Sequence, residues 1–183
     1  MDSRTAYLSY SQIAAFTCPY RWNLGWERDV HRRVSSRPIR IVSVVHVGLA
    51  AYLSGHPYEP AVLSWMSEAL RPMQGMLMPE QMTEFEDIRD TGLGIIRRTI
   101  QHIELLGWTT VQWVNPSTGE VEPLIEKMLY CPLAPWAGYR GIVDWVARDA
   151  DGIQWFVDWK VRKQFLDVEA EDVNLQLASY QYL

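Results

Sequence analysis

The pattern of apolar and polar positions changes character near residue 107. Before it, apolar residues recur at helical spacing. After it they fall in short runs rich in β-branched and aromatic residues, the mark of strands. Pro38 predicts the opening of a helix whose apolar positions, including Val42, Val45, Leu49 and Tyr52, continue through Leu53. An amphipathic helix is predicted over residues 60–70. A longer one, opened by Pro79, reaches Leu106, with Gly92 and Gly94 expected to weaken it midway. Ser9 and Gln12 fit a capping box, predicting a short helix to about residue 17 that breaks at Cys18-Pro19. Strands are predicted over 109–114 and 124–130, with Asn115-Pro116-Ser117-Thr118-Gly119 turning between them. Two more, 139–148 and 153–160, flank the hairpin signal Asp149-Ala150-Asp151-Gly152. Residues 172–183 return to a helical pattern. The order predicts an α+β fold, with a helical part over 1–106 and a sheet with one closing helix over 107–183.

Charged residues are set into these apolar strands. With the hairpin loop centred near Asp151, Asp144 and Asp158 lie opposite one another, give or take one position. Like charges there repel, and a divalent cation turns repulsion into coordination; hard oxygen ligands suit Mg²⁺ or Mn²⁺. Lys160 shares the face of Asp158 by the two-residue period of a strand. An exposed hairpin with solvated Asp and Lys is the competing reading. Val143, Trp145, Val157 and Trp159 form one apolar face, and Ile142 and Phe156 make the other partly apolar. A sheet covered on both faces leaves few reasons to keep carboxylates, because buried charge is costly unless paired or metal-bound. His46, among apolar helix positions, reads as a packed core residue or a ligand. Glu126 reads as an exposed strand residue, an additional acidic ligand or a group supporting the ligands. The helical part either covers the sheet or lines a channel.

Composition narrows the classes. With 48% hydrophobic and 21% charged residues over 183 positions, a single globular domain spanning 1–183 is expected. A formal net charge of −5 argues against a charge-driven coat for nucleic acid, though not against a nuclease with a locally basic cleft. Arg162 and Lys163, beside Lys160, are candidate phosphate contacts. So are Arg28, Arg32, Arg33, Arg37 and Arg40, which read equally well as a solvated run. The nine Trp and nine Tyr belong to core or interface, with some available to stack on bases. No run of about 18 apolar residues or secretory leader pattern is present, and two cysteines are too few for a disulfide framework. An intracellular, cytoplasmic setting without membrane contact is expected.

The motif order Gly141-x-x-Asp144, Asp158-x-Lys160, Gln176-x-x-x-Tyr180 resembles the PD-(D/E)XK nuclease superfamily, specifically its RecB-like clade. Upstream, Leu8-Ser9-Tyr10-Ser11-Gln12-Ile13 and Cys18-Pro19-Tyr20-Arg21-Trp22 are similar to the clade's opening helix and "CP" turn. His46 stands where the clade carries a helix histidine. Departures touch supporting positions: Ile41-Val42-Ser43-Val44-Val45 where a small residue usually precedes the histidine, Val161 for threonine, and Trp159 for tyrosine. The resemblance implies a restriction-endonuclease-like core, a central mixed β-sheet flanked by helices. It implies a Mg²⁺- or Mn²⁺-dependent deoxyribonuclease with Asp144, Asp158 and Lys160 catalytic. The metal would be held by Asp144, Asp158, the Trp159 backbone carbonyl and His46. Gln176, Tyr180, Arg162 and Lys163 would meet DNA, as an exonuclease on ends or single strands. The implied setting is recombination, repair, phage or CRISPR DNA processing in a bacterial, archaeal or phage protein, beside a helicase, integrase or recombination partner. The alternative is a catalytically weak or inactive nuclease-fold module that binds DNA or assembles with such a partner. Some relatives hold a [4Fe–4S] cluster through the "CP" cysteine and three others; Cys18 and Cys131 fall short of four thiolates, so no iron–sulfur cluster is expected. Relatives continue beyond the position of Leu183, so a short form or a fragment is expected.

Overall fold

A computed structural model describes residues 6–9, 12–13, 37–71, 78–115 and 118–161. Three helices are α1 (Arg37–Leu53), α2 (Tyr58–Leu70) and α3 (Pro79–Leu106). Seven strands are β1 (Ala6–Ser9), β2 (Thr109–Thr110), β3 (Gln112–Val114), β4 (Val121–Pro123), β5 (Ile125–Ala134), β6 (Ala137–Arg148) and β7 (Gln154–Val157). The fold is mixed α and β. Its central strand, β6, pairs with β1 in parallel, with β2 and β7 antiparallel, and with β5. β3 and β4 form a separate antiparallel pair. Among the described residues, no helix is long and apolar enough to cross a membrane.

The chain divides into two compact units. The first, Met1–Val34, Glu126–Val143 and Lys163–Leu183, contains β1, nearly all of β5 and the leading part of β6. β1 pairs in register from Ala6↔Ala137 to Ser9↔Arg140. Tyr7 meets Tyr130 edge-to-face at 5.2 Å. The expected capping box is present: the Ser9 N–H donates to Gln12 Oε1 at 2.8 Å, and the Gln12 N–H to Ser9 Oγ at 3.3 Å. Ser9 closes a strand that the sequence pattern did not anticipate. Gln12 and Ile13 are helical, and the rest of the expected helix lies outside the described residues.

The second unit, Ser35–Ile125 and Asp144–Arg162, holds α1, α2, α3 and the trailing part of β6. Its helical core packs Ile41, Val44, Val45 and Leu49 of α1 against Val62 and Met66 of α2 and Phe85, Ile88, Ile96 and Ile100 of α3. α1 and α3 cross over reciprocal glycines. A Cβ at Gly48 would overlap the Ile96 side chain, and one at Gly92 would overlap Val44. The two glycines thus serve as seats for the partner's branched residues, and α3 runs unbroken through Gly92 and Gly94. Pro79 occupies its first turn, the Met78 N–H donates to Gln81 Oε1 at 2.9 Å, and Gly107 ends it at φ 64°. Arg37 pairs with Asp87, and Arg40 lies 4.8 Å over the Phe85 ring, so these two arginines tie α1 to α3.

Residues 109–114, expected as one strand, divide at Val111. Its N–H donates to Val146 O, its carbonyl accepts from the Leu124 N–H, and the Val146 N–H donates to Leu124 O, each at 2.9 Å. β2 therefore joins β6 while β3 turns to β4. β5 continues to Ala134, past its expected end, and β7 stops at Val157, short of the expected residue 160.

Candidate metal centre

β6 and β7 are joined by a locked turn. Asp149 Oδ1 accepts the N–H groups of Asp151 (3.0 Å) and Ile153 (2.9 Å), and Asp149 Oδ2 accepts the Trp155 indole N–H at 2.7 Å. The Trp155 bond, ahead of those backbone N–H groups, holds the Asp149 carboxyl below the usual aspartate range. Gly152, at φ 84°, takes the left-handed position. This turn sets the register Trp145↔Val157, Val146↔Phe156, Ala147↔Trp155 and Arg148↔Gln154. Continued by one position, the same register sets Asp144 opposite Asp158, as the hairpin centred near Asp151 requires.

Asp144, 7% exposed as a residue, is a charged group among the buried residues described. It is flanked by Trp145, Val146 and Ala147, at 2% exposure or less. A lone carboxylate in such surroundings would be costly, and this one has partners. The Trp159 N–H donates to Asp144 Oδ2 at 2.7 Å. Asp144 Oδ1 lies 3.7 Å from His46 Nδ1, which α1 presents between buried Val45 and Leu49. That separation exceeds a hydrogen bond. It fits two ligands of one cation, since atoms each about 2.1 Å from an ion lie no more than about 4.2 Å apart.

Asp158 follows the last residue of β7, and its side chain is 5% exposed. Its Oδ2 meets Lys160 Nζ at 2.6 Å, a charge-assisted pair with the lysine head partly in solvent. Among the described residues, His46, Asp144 and Asp158 do not form a set whose ligand atoms all lie within 4.8 Å of one another. His46 and Asp144 are thus brought together, while Asp158 is drawn to Lys160.

Trp159 between them points into the core. Its ring stacks on Trp145 at 5.9 Å and 15°, and it packs against both apolar clusters of the unit. Trp145 in turn donates from Nε1 to Thr110 Oγ1 at 3.0 Å and tilts against Trp108 at 6.2 Å, and Trp108 stacks on Trp155 at 5.8 Å. Trp145 and Trp159 are diagonal neighbours in the strand register, a spacing aromatic rings can bridge. The alternating pattern placed both on one apolar face. The Trp159 N–H bond to Asp144 had no signal in the sequence, because it depends on the course of the backbone beyond the ladder.

Glu126 belongs to the first unit, where it is exposed in β5 with a left-handed φ of 49°. Such a backbone costs a non-glycine residue about 1–2 kcal/mol. Phe156 (42%) and Ile142 (48%) are exposed, so those two positions do not extend the buried surface. Cys131 is a free thiol in β5. Gln176, Tyr180, Arg162, Lys163, Cys18, Arg28, Arg32 and Arg33 lie outside the described residues. Comparisons with family models, with curated proteins and with solved structures find no match to this chain.

Proposed function

We propose that the protein is a divalent-metal-dependent nuclease that hydrolyses phosphodiesters in DNA. One observation carries this reading: a buried carboxylate, Asp144, stands beside His46 at a ligand-sharing distance. The Asp158–Lys160 ion pair follows on the neighbouring strand end. The donor chemistry suits a small hard cation, with Asp144 and His46 as its first ligands. Asp158, paired with Lys160 on the neighbouring strand end, is the second acidic candidate for that cation. An imidazole beside a carboxylate shifts the preference from Mg²⁺, which keeps to oxygen ligands, toward Mn²⁺.

A bound cation would polarise a phosphate oxygen and lower the pKa of water. The chain's own groups do the rest. Lys160 offsets charge gathering on the phosphate and orients the attacking water, while the covered strand keeps Asp144 in one orientation. The motif order Asp144, Asp158-x-Lys160, Gln176-x-x-x-Tyr180 supports the RecB-like PD-(D/E)XK reading, in which Gln176 and Tyr180 would meet the DNA.

The test is purified protein with Mn²⁺ or Mg²⁺ on 5′- and 3′-labelled single- and double-stranded DNA. Cleavage should be abolished by EDTA and by Asp158→Ala. Binding without cleavage under every condition would replace this reading with that of a non-catalytic DNA-binding module.

A further inference from the structure

The geometry points to Trp159, held by its stack on Trp145, as the positioning residue of the metal centre: it fixes which oxygen of Asp144 a cation can take. This deepens the nuclease reading and rests on it. A carboxylate can bind a cation through either oxygen or both, and an unrestrained one rotates among these modes. Here Oδ2 is engaged by the Trp159 N–H at 2.7 Å, which leaves Oδ1 toward His46 Nδ1 at 3.7 Å. The cation is thereby offered one oxygen and one nitrogen in a fixed relation.

The donor of that bond is a backbone group two residues past the end of β7, where no ladder bond holds it. The side chain anchors it. The Trp159 ring is clamped against Trp145, itself 1% exposed and tied to Thr110. The same ring touches the helical cluster that contains Val45 and Leu49, the neighbours of His46 on α1. One indole therefore references both ligands to a single packed core.

The experiment measures Mn²⁺ affinity by electron paramagnetic resonance in the whole chain, for wild type, Trp145→Phe and Trp145→Leu, with thermal midpoints recorded alongside. Phe keeps a flat ring for Trp159 to stack on; Leu keeps apolar volume without the plane. Wild type and Trp145→Phe should bind alike. Trp145→Leu should bind at least about tenfold more weakly, the usual consequence of losing a group that orients a metal ligand. A purely structural role would instead make affinity follow the thermal midpoints. Equal Mn²⁺ binding by folded Trp145→Leu would overturn the positioning role and leave the metal centre standing. No binding by wild type would overturn both.

If Trp145→Leu does not fold, amide hydrogen exchange in the metal-free wild type decides. The Trp159 amide should exchange about 10³-fold more slowly than an open loop, because a carboxylate holds it. Exchange at the loop rate would end the proposal.

Discussion

Two buried regions of the second unit are built on opposite terms. Where α1 crosses α3, Gly48 receives Ile96 and Gly92 receives Val44, and at these two seats the fit is one of shape. Two residues earlier on α1, His46 faces a carboxylate set in a strand as deeply covered as that crossing. An apolar residue at position 144 would fill such a place at lower cost, since buried charge must be offset by partners. The crossing is optimised for stability and the strand end is not. That contrast teaches where to look for chemistry: at the position where the packing rule is broken and the breach is carefully supported.

The comparison can be broken most directly at Asp144. Asp144→Asn should lower metal-dependent DNA cleavage by about 10³-fold while the thermal midpoint holds or rises, because the amide oxygen can still accept the Trp159 N–H. A large fall in both would make Asp144 a structural residue. At the crossing the opposite split is expected. Ile96→Ala should cost about 2–5 kcal/mol in denaturant unfolding, with cleavage per folded molecule unchanged.

Lys160→Ala sharpens the functional side. Turnover should fall about 10²-fold while DNA binding, measured by fluorescence anisotropy, largely survives. An unchanged turnover would remove Lys160 from the chemistry. On the structural side, Gly92→Ala should destabilise by about 1–2 kcal/mol, although alanine favours a helix by about 1 kcal/mol over glycine. The loss should be recovered in Val44→Ala/Gly92→Ala, because the clash is with Val44.

The smallest effect belongs to the hairpin turn. Asp149 has a depressed carboxyl pKa in the folded chain, first through the Trp155 indole. Its contribution is therefore complete above the ordinary aspartate value of about 3.9 and is lost as pH falls through the lowered folded value. Thermal midpoints of Asp149→Asn and wild type, compared from pH 5 downward, should converge at the acid end. Parallel curves would remove Asp149 from the acid response.

Much of this was legible in the chain because the signals are local. Pro79 and Gly107 bracket α3, and the β-branched run through Val143 and Val146 identifies β6. The turn at Asp149–Gly152 fixes the register from Trp145↔Val157 to Arg148↔Gln154 from a handful of residues. What escaped depends on distant partners. The parallel pairing of β1 with β6 leaves no trace in Ala6–Ser9. Val111 reads as one position in a strand until Leu124 and Val146 claim its backbone groups from two directions. Gly92 reads as a weak point because propensity is a property of one residue, whereas its role as a seat is a property of two helices. The link from Trp159 to Asp144 is invisible for the same reason.

The locked turn also bears on the order in which the molecule folds. Asp144 and Trp159 are 15 residues apart in the chain, so the hairpin that joins them closes a short loop and can form early. His46 arrives on a helix from far upstream, a contact that a partly folded chain meets late. The pieces that carry Asp144 and His46 are therefore expected to come together on the native side of the folding barrier. A cation that needs both should leave the refolding rate almost untouched and act by slowing unfolding, lengthening the lifetime of the native state.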